Sequence, residues 1–531
     1  MTTKQLRSLL VIATLLATLT TVGFGQIIGQ NPDFDATAAE EEAYWYSRYN
    51  LGHLTMRAGM GEAFMPDPEM VSMMIAIADA DPLDGDTVHP PVNPALLRTV
   101  YASGDPLWVE SADPSDFATL RWDPNSFDTR ITGSALGWTI IKEVEWAKQF
   151  HIDSHFGIPT DDFGAQWRFT GLALIAMAKM QAMAWIDLHE AGEMVMVDKS
   201  DAFVMLMAFA DLADVLGARA LPHSETNRYR DLKTSAMIRT IADEQYDRVL
   251  AIPTESMSVK ELSTAIQGLV WFASVTTDSK RHADAKQQIG HLEELLLARP
   301  TISATDKGYA LRGVIEVYRV LDSLDSLHAS RDLVEELASD FDSDHGIFRS
   351  QLVYTIDDVA AIVGGLNAVK LYGDIGVALL EDLFTGFFEG VVNLSGVQRS
   401  VPPIESSKGQ FELGAPDIYY SYPSIPLPGA VGEYGVAPVF ASSVTFDTNS
   451  NTWTVSDERF DTAGAMHASN EFIWLHADEV NGFPDVGDHA SVAPAMPAEA
   501  EVEKDVFVNR LLLHLVLLAL TVAAVYFIKG E

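Results

Sequence analysis

Residues 354–374 read YTIDDVAAIVGGLNAVKLYGD. Between residues 359 and 372, apolar side chains would cover most of the circumference of a helix, which is typical of a helix buried on every side. Residues 262–273 and 310–321 have the same character. The sequence therefore predicts several helices that lie entirely inside the protein.

Segments with one apolar and one charged face alternate with these buried helices. In residues 285–296, apolar residues recur at every third or fourth position with charged residues between them, and residues 333–341 repeat the pattern. Such a helix packs one face against the protein and exposes the other to water. A buried helix followed by an amphipathic one, several times over, predicts two layers, either an inner and an outer ring or a stacked solenoid.

Three glycines support a repeated unit. Gly268, Gly313 and Gly365 occupy similar places in successive buried helices, at intervals of 45 and 52 residues. Helix-pair repeats commonly have such a period. Residues 167–188 and 202–216 are also apolar enough to be earlier members of the inner set. We therefore expect a mainly α fold with helix pairs as its unit.

Three segments resemble α/α-toroid proteins, the six-hairpin glycosidase-like group that includes N-acylglucosamine epimerase-type enzymes and related glycoside hydrolases. They are the helix GYALRGVIEVYRVLDS that starts at Gly308, the break FDSDHGIF at 341–348, and the helix at 354–374. In that group an outer helix often ends in a turn with Asp and Gly, and the next inner helix begins at an acidic pair. The resemblance covers less than half of the chain. It implies an α/α-toroid and assigns no catalytic residue.

The body of the chain divides into two parts by composition. Residues 26–166 are an N-terminal helical and loop region, and residues 167–489 are the toroid-like domain. Within that domain, residues 442–455, SSVTFDTNSNTWTV, alternate apolar and polar residues, which predicts a small β-hairpin inserted among the helices. Residues 462–480 return to a helical pattern and would close a ring against the earlier inner helices.

Both ends of the chain are apolar. Residues 1–25 place Lys4 and Arg7 before an uncharged stretch and end at Gly25, as in a secretory signal peptide, with an uncleaved anchor helix as the alternative. Residues 506–528 are long and apolar enough for one C-terminal transmembrane helix. The Ala-, Pro- and Glu-rich residues 490–505 suit an extended stalk. We therefore expect a single-pass cell-membrane protein whose body is extracytoplasmic.

Composition narrows the classes of partner. The net charge of −40 disfavours binding to nucleic acid, because the field of the protein repels polyanions. Lysine is scarce while carboxylates abound, a bias typical of proteins from salt-loving prokaryotes, although an acidic exported protein would share it. The chain has no cysteine and no glycine loop for phosphate binding. No cofactor is predicted.

An acidic pair, Asp357 and Asp358, stands at the predicted N-terminus of a buried helix. These carboxylates would cap that helix and stabilise its dipole. Alternatively, Asp358 would project into a central cavity, where burial could raise its pKa enough for general acid catalysis on a glycosidic bond. Glu471, on the last helix, is the partner carboxylate in that hypothesis. Its neighbour His467 and the ring of Tyr309 are candidate ligand-binding groups, although such a tyrosine often belongs to the core.

Residues 151–167, HIDSHFGIPTDDFGAQW, concentrate reactive groups. On a helix, His151 and His155 would share a face and could bind a metal with Asp161 or Asp162. A glycine and a proline in the segment argue that the helix stops there, so we predict no metal site. We expect a polar loop at an open end of the helical array, with His155, Asp161, Asp162 and Trp167 as ligand-binding candidates.

The function predicted on these grounds is binding of carbohydrate or another envelope ligand by a membrane-anchored helical protein. A non-catalytic cell-surface scaffold for protein partners is one alternative. A glycoside hydrolase or an epimerase-like enzyme is another. A centre lined by paired carboxylates and stacked aromatic rings would favour the enzyme, whereas a centre filled by Leu, Met and Phe would favour the scaffold.

Overall fold

A computed structural model describes most of the chain between residues 34 and 473. The predicted signal peptide 1–25, stalk 490–505 and transmembrane helix 506–528 lie outside the described residues. The described residues are 34–79, 88, 95–109, 121–151, 154–155, 158–159, 164–191, 197–221, 224, 226–373, 377–399, 437 and 439–473.

The described part of the chain is mainly helical, with thirteen α-helices. Six of them are buried over most of their length, and they include all three segments around residues 262, 310 and 359 that the sequence predicts to be buried. The six buried helices are α3 (Gly133–Gln149), α5 (Ser200–Gly217), α7 (Val259–Val275), α9 (Ala304–Leu321), α11 (Ile356–Tyr372) and α13 (Thr462–Phe472).

The other seven helices lie outside these six, and most of them expose one side to solvent. In α8 and α10, for example, buried side chains recur at every third or fourth position, as the amphipathic pattern predicts. The short helices η1 (Leu54–Ala58) and η2 (Phe388–Asn393) extend α1 and α12. The seven helices are α1 (Ala36–His53), α2 (Pro68–Ala78), α4 (Gly164–Ala191), α6 (Leu232–Val249), α8 (Ser279–Leu297), α10 (Leu324–Asp340) and α12 (Val377–Phe387).

Three buried helices begin with the same local device. The side chains of Ser258, Ser303 and Thr355 cap α7, α9 and α11, and an acidic residue three positions later bonds back to the backbone of each cap. This capping box satisfies N–H groups that the first helical turn leaves without partners. The start of each of these helices is therefore encoded locally.

The buried helices contact one another in chain order, from α3 through α5, α7, α9 and α11 to α13. The last helix, α13, also contacts α3, so the series of contacts closes on itself. Asn470 of α13 makes part of this closure by donating its side-chain amide to the carbonyl oxygen of Trp138, at 2.9 Å. Residues from both sides of position 167 thus contribute to one packed array.

The exposed helices pack on the outside of this series. α4 contacts α3, α6 contacts α5, α8 contacts α7, α10 contacts α9, α12 contacts α11, and α1 contacts α13. The expectation that residues 167–188 belong to the inner set is therefore wrong, since they form part of α4. Their apolar outer side is explained by α2, which packs against α4.

One helix among the described residues is long and apolar enough to cross a membrane, by length and composition alone. It is Arg168–Ala191 within α4, and 61% of its most apolar window is buried inside the protein. A core helix of a folded domain passes the same test.

Short strands complete the fold. The predicted hairpin is confirmed: β9 (Ser443–Asp447) pairs antiparallel with β10 (Thr452–Asp457), and β8 (Val353–Thr355) pairs with the other edge of β9. Asn451 in the turn has a φ of 52°, a left-handed conformation that asparagine tolerates. The other strands form two-stranded pairs: β1 (Ala63–Phe64) with β2 (Leu96–Leu97), β3 (Ser103–Gly104) with β11 (Phe460–Asp461), β4 (Ser154–His155) with β5 (Ile158–Pro159), and β6 (Phe341–Asp342) with β7 (Ile347–Phe348).

Candidate functional site

The carboxylate of Asp357 joins four of the buried helices. Asp357 lies in the first turn of α11, and its Oδ1 is 2.8 Å from Nδ1 of His467 on α13. Its Oδ2 accepts hydrogen bonds from the Lys260 ammonium of α7 at 2.9 Å and from the Tyr309 hydroxyl of α9 at 2.7 Å. The N-terminal parts of these helices therefore meet around one carboxylate.

This cluster is open to solvent on one side. The side chains of Asp357 and Lys260 are 27% and 38% exposed. Asp198, which precedes α5, is 34% exposed and lies 3.8 Å from the Lys260 nitrogen. Asp461 caps the start of α13 and accepts a hydrogen bond from the backbone of Gly464. We call Asp198, Lys260, Asp357 and Asp461 the mouth.

Two carboxylates of the mouth have opposite pKa shifts. Burial alone would raise the pKa of Asp357, but the charge of Lys260 and the hydrogen bond from His467 bring it well below its ordinary value. Burial and the neighbouring charge of Asp357 raise the pKa of Asp461 to about 6. Near neutral pH, Asp357 is therefore a permanent anion, whereas Asp461 takes up a proton in mildly acidic solution.

His467 lies just beneath the mouth and is only 4% exposed. Its ring stacks between Trp138, at 4.5 Å between centroids, and Tyr309, at 5.9 Å. Its Nε2 lies 3.7 Å from Oε1 of Glu471, one helical turn further along α13. Burial opposes a charge on the imidazole, but the bonds to Asp357 and Glu471 outweigh it, so the pKa of His467 is raised.

Further charged groups continue below His467. Oε2 of Glu471 is 3.3 Å from Nε of Arg312, and Nη1 of Arg312 is 2.5 Å from Oε1 of Glu316. Glu316 in turn pairs with Arg319 at 2.9 Å. With His467 protonated, the state that its raised pKa favours, the line from Asp357 to Arg319 alternates in sign at every step. Such pairing lowers the cost of burying charges.

A glycine makes room for this line. A Cβ atom on Gly364 of α11 would lie 2.3 Å from Oε2 of Glu471, so any larger residue would displace the carboxylate. Lys142 of α3 lies nearby, fully buried, and donates to the carbonyl oxygen of Ile473 at 3.0 Å. Burial lowers the pKa of Lys142 to about 7, against the opposing charges of Glu145 and Glu471.

Three of the residues predicted from the sequence come together here: Tyr309, His467 and Glu471. Asp358 does not join them. Its carboxylate accepts from the backbone and hydroxyl of Thr355, at 2.7 and 2.8 Å, and from the Thr305 hydroxyl at 2.9 Å. The bond from the Thr355 backbone belongs to the capping box of α11, and the bond from Thr305 joins that cap to α9. The catalytic role of Asp358 stays a prediction.

His151 lies at the other end of the array. His151 follows the last turn of α3, where its Nε2 accepts from the backbone of Arg228. The mouth lies at the helix N-termini, about 25 Å away along a helix of this length, and the four residues that lead to His155 span at most about 14 Å. The strand of His155 therefore lies away from Asp357. Asp161 and Asp162 lie outside the described residues, as do the side chains of His155 and Trp167.

Sequence reasoning missed Lys260 and Arg312, and it favoured Asp358 over Asp357. A usable signal existed, because Arg312 and Glu316 stand four apart and are the only charged residues in the apolar stretch 308–317. Residues at that spacing face the same side, so a charged pair on a buried helix indicates an internal ion pair.

Within the described ranges, no group of three or more His, Asp or Glu side chains is arranged to hold a metal ion. Searches for relatives add no functional assignment: the sequence matches no protein-family model, and no curated protein is significantly similar to it.

Proposed function

We propose that this chain is a membrane-anchored, extracytoplasmic α/α-toroid that binds a neutral, hydroxyl-rich ligand of the carbohydrate class at the mouth. The toroid is supported by the closed series of contacts among the six buried helices and by the exposed helix outside each of them. In such a ring the N-termini of the inner helices surround one opening. The residues of the mouth stand at these N-termini.

The observation that carries the proposal is the partly exposed carboxylate of Asp357, fixed by Lys260, Tyr309 and His467. A fixed carboxylate accepts charge-assisted hydrogen bonds from hydroxyl groups, and a neighbouring ammonium donates to hydroxyl oxygens. The acidic mouth and the net charge of −40 repel anionic ligands. A neutral sugar satisfies both conditions.

Binding is tested with the full-length chain in detergent, by calorimetry against a panel of neutral and uronate-containing oligosaccharides. We expect neutral members to bind, and Asp357→Asn to weaken binding at least about tenfold, since it replaces a charged acceptor by a neutral one. Asp358→Asn is the matched control, because its carboxylate caps α11. Equal affinities for the two variants, or selective binding of the uronates, would contradict the proposal.

The membrane anchor rests on the two apolar ends of the chain. It is tested by expressing the full chain with a C-terminal tag, fractionating the cells and adding protease to intact cells. We expect the chain in the membrane fraction after alkaline washing, and external protease should release the body. A variant that ends at residue 489 should appear outside the membrane. An intact, protease-resistant full chain in the cytosol would overturn this part.

A glycan-cleaving enzyme is the second candidate, favoured by the opposite pKa shifts of Asp461 and Asp357. Two carboxyl groups tuned apart are the requirement for acid–base hydrolysis of a glycosidic bond. Asp461 would give its proton to the leaving oxygen, and the permanently ionised Asp357 would stabilise the positive charge that develops at the anomeric carbon. Water would then add to that carbon and return a proton to Asp461. The test is to incubate the protein with an oligosaccharide that it binds and to separate the products by chromatography. Cleavage that Asp461→Asn abolishes would support the enzymatic function. An oligosaccharide that stays intact would contradict it.

A further inference from the structure

We propose that His467 is a positioning residue for Asp357, held as an imidazolium by the carboxylates of Asp357 and Glu471, and that its protonation controls the affinity of the mouth for its ligand. The second half of this inference rests on the proposed binding function. The first half concerns the protein alone and can be tested without any ligand.

Each ring nitrogen of His467 faces a carboxylate, one at hydrogen-bond distance and the other at ion-pair distance. Nδ1 of His467 is 2.8 Å from a carboxylate oxygen of Asp357, and Nε2 is 3.7 Å from a carboxylate oxygen of Glu471. A neutral imidazole carries one N–H and would present a lone pair to one of these anions. The imidazolium carries two N–H groups and presents one to each carboxylate. The arrangement therefore selects the protonated ring.

The ring has little freedom to move. Trp138 stacks on His467 at an interplanar angle of 18°, and Tyr309 stacks at 20°. Both aromatic residues are buried. Rotation of the imidazole would break both stacking contacts and the bond to Asp357. The ring consequently holds the carboxylate of Asp357 in one orientation.

The charges around His467 come from five helices. α11 contributes Asp357 and α13 contributes Glu471, both anions. α9 contributes Arg312, which pairs with Glu471, and α7 contributes Lys260, which pairs with Asp357. α3 contributes Lys142, whose amine lies close enough to interact with Glu471. Both cations next to the carboxylates are thus paired at the oxygen that His467 does not face, so each carboxylate keeps one oxygen for the imidazolium.

Loss of the proton from His467 would leave one carboxylate without its donor. The neutral ring keeps the Nδ1 proton, which is 2.8 Å from Asp357, and loses the proton at Nε2. Asp357 then has a neutral N–H donor in place of a charged one, so its orientation is held less firmly. Binding to a mobile acceptor must first restrict its motion, which lowers affinity. We expect the affinity of the mouth to fall about tenfold as pH rises through the pKa of His467, the equivalent of one hydrogen bond.

The ligand-free test is a proton NMR titration of the full chain labelled at histidine Cε1, with the His467 signal assigned by its loss in His467→Gln. We expect His467 to titrate above the ordinary pKa of histidine, about 6.5. Glu471→Gln keeps the imidazole and should lower that pKa. His328→Gln, at an exposed position of α10, is the control and should leave the His467 signal unchanged. A pKa of His467 below the ordinary value for histidine would overturn the inference. So would a pKa that Glu471→Gln leaves unchanged.

The second test measures the affinity of the chain for a neutral oligosaccharide between pH 5 and 9. The wild-type chain should lose affinity with rising pH, and Glu471→Gln should shift the midpoint of that loss to lower pH. His467→Gln should bind weakly with no such midpoint, and its melting temperature tests that it is folded. A pH-independent wild-type affinity overturns the link to binding. If no oligosaccharide binds while His467 titrates as expected, the proposed function fails and the imidazolium assignment stands.

Discussion

Gly308 and Gly365 meet backbone to backbone where α9 packs against α11. A Cβ atom on Gly365 would lie 2.4 Å from the carbonyl oxygen of Gly308, and a Cβ atom on Gly308 would lie 2.5 Å from the carbonyl oxygen of Ala361. Backbone atoms cannot retreat as a flexible side chain can. The two helices therefore pack at a distance that only glycine allows, and this contact sets the width of the array next to the mouth.

Gly365→Ala should destabilise the protein by about 1 to 3 kcal/mol, because the added methyl group forces two buried helices apart. The free energy of unfolding from denaturant titration measures this. Gly290→Ala is the matched control: the nearest atom to a Cβ on Gly290, in α8, is a side-chain carbon 3.8 Å away, so the same substitution should be neutral or stabilising. Equal changes in unfolding free energy at the two positions would show that helix propensity, and not the close approach of the helices, determines the effect.

Asp358→Ala should cost about 1 to 2 kcal/mol of stability through loss of the capping box of α11. Thr355→Ala should cost a similar amount, and the double variant should cost little more than either, because both residues serve the same cap. Thermal and denaturant unfolding of the three variants measures this. Additive losses would mean that the two side chains stabilise the protein independently.

Much of the fold could be predicted from the sequence because burial and periodicity are local patterns. The apolar circumference of residues 359–372 and the alternation of residues 442–455 correspond directly to α11 and to the hairpin of β9 and β10. The glycine spacing located close helix contacts, since Gly365 lies against α9. The error at residues 167–188 arose because an outer helix covered by another helix, α2, is as apolar as an inner one.

The candidate site could be predicted only in part, because it depends on which helices meet. Asp357 and Asp358 are adjacent and chemically equal in sequence, but on a helix they point about 100° apart. One faces His467 and the other caps its own helix. The partners Lys260 and Arg312 come from helices distant in the chain, and no local pattern connects them to Glu471 or Asp357.

The buried amine of Lys142 should make stability depend on pH. Its pKa in the folded chain is about 7, below its ordinary value of 10.5, so between these values the unfolded chain binds more protons than the folded one. Stability should therefore rise with pH across that interval, by a few kcal/mol at most. Lys142→Met should remove this contribution to the slope, whereas Lys280→Met, at an exposed site, should keep it. Parallel pH–stability curves for the wild type and Lys142→Met would show that the amine does not titrate in this range.

Salt should stabilise this protein more than most proteins of its size. The net charge of −40 produces self-repulsion in the compact state, and even around Arg281 the carboxylates of Asp243, Asp247 and Asp278 outnumber the cation.

Because the screening length falls from about 8 Å at physiological ionic strength to about 3 Å at 1 M, potassium chloride should raise the free energy of unfolding steeply over that range. Glu294→Gln and Glu335→Gln together remove two exposed charges. This double variant should gain less unfolding free energy from salt than the wild type, while its stability at 1 M salt should be nearly unchanged. An identical increment in the variant would point to exclusion of salt from the protein surface as the cause, since that effect does not depend on the number of carboxylates.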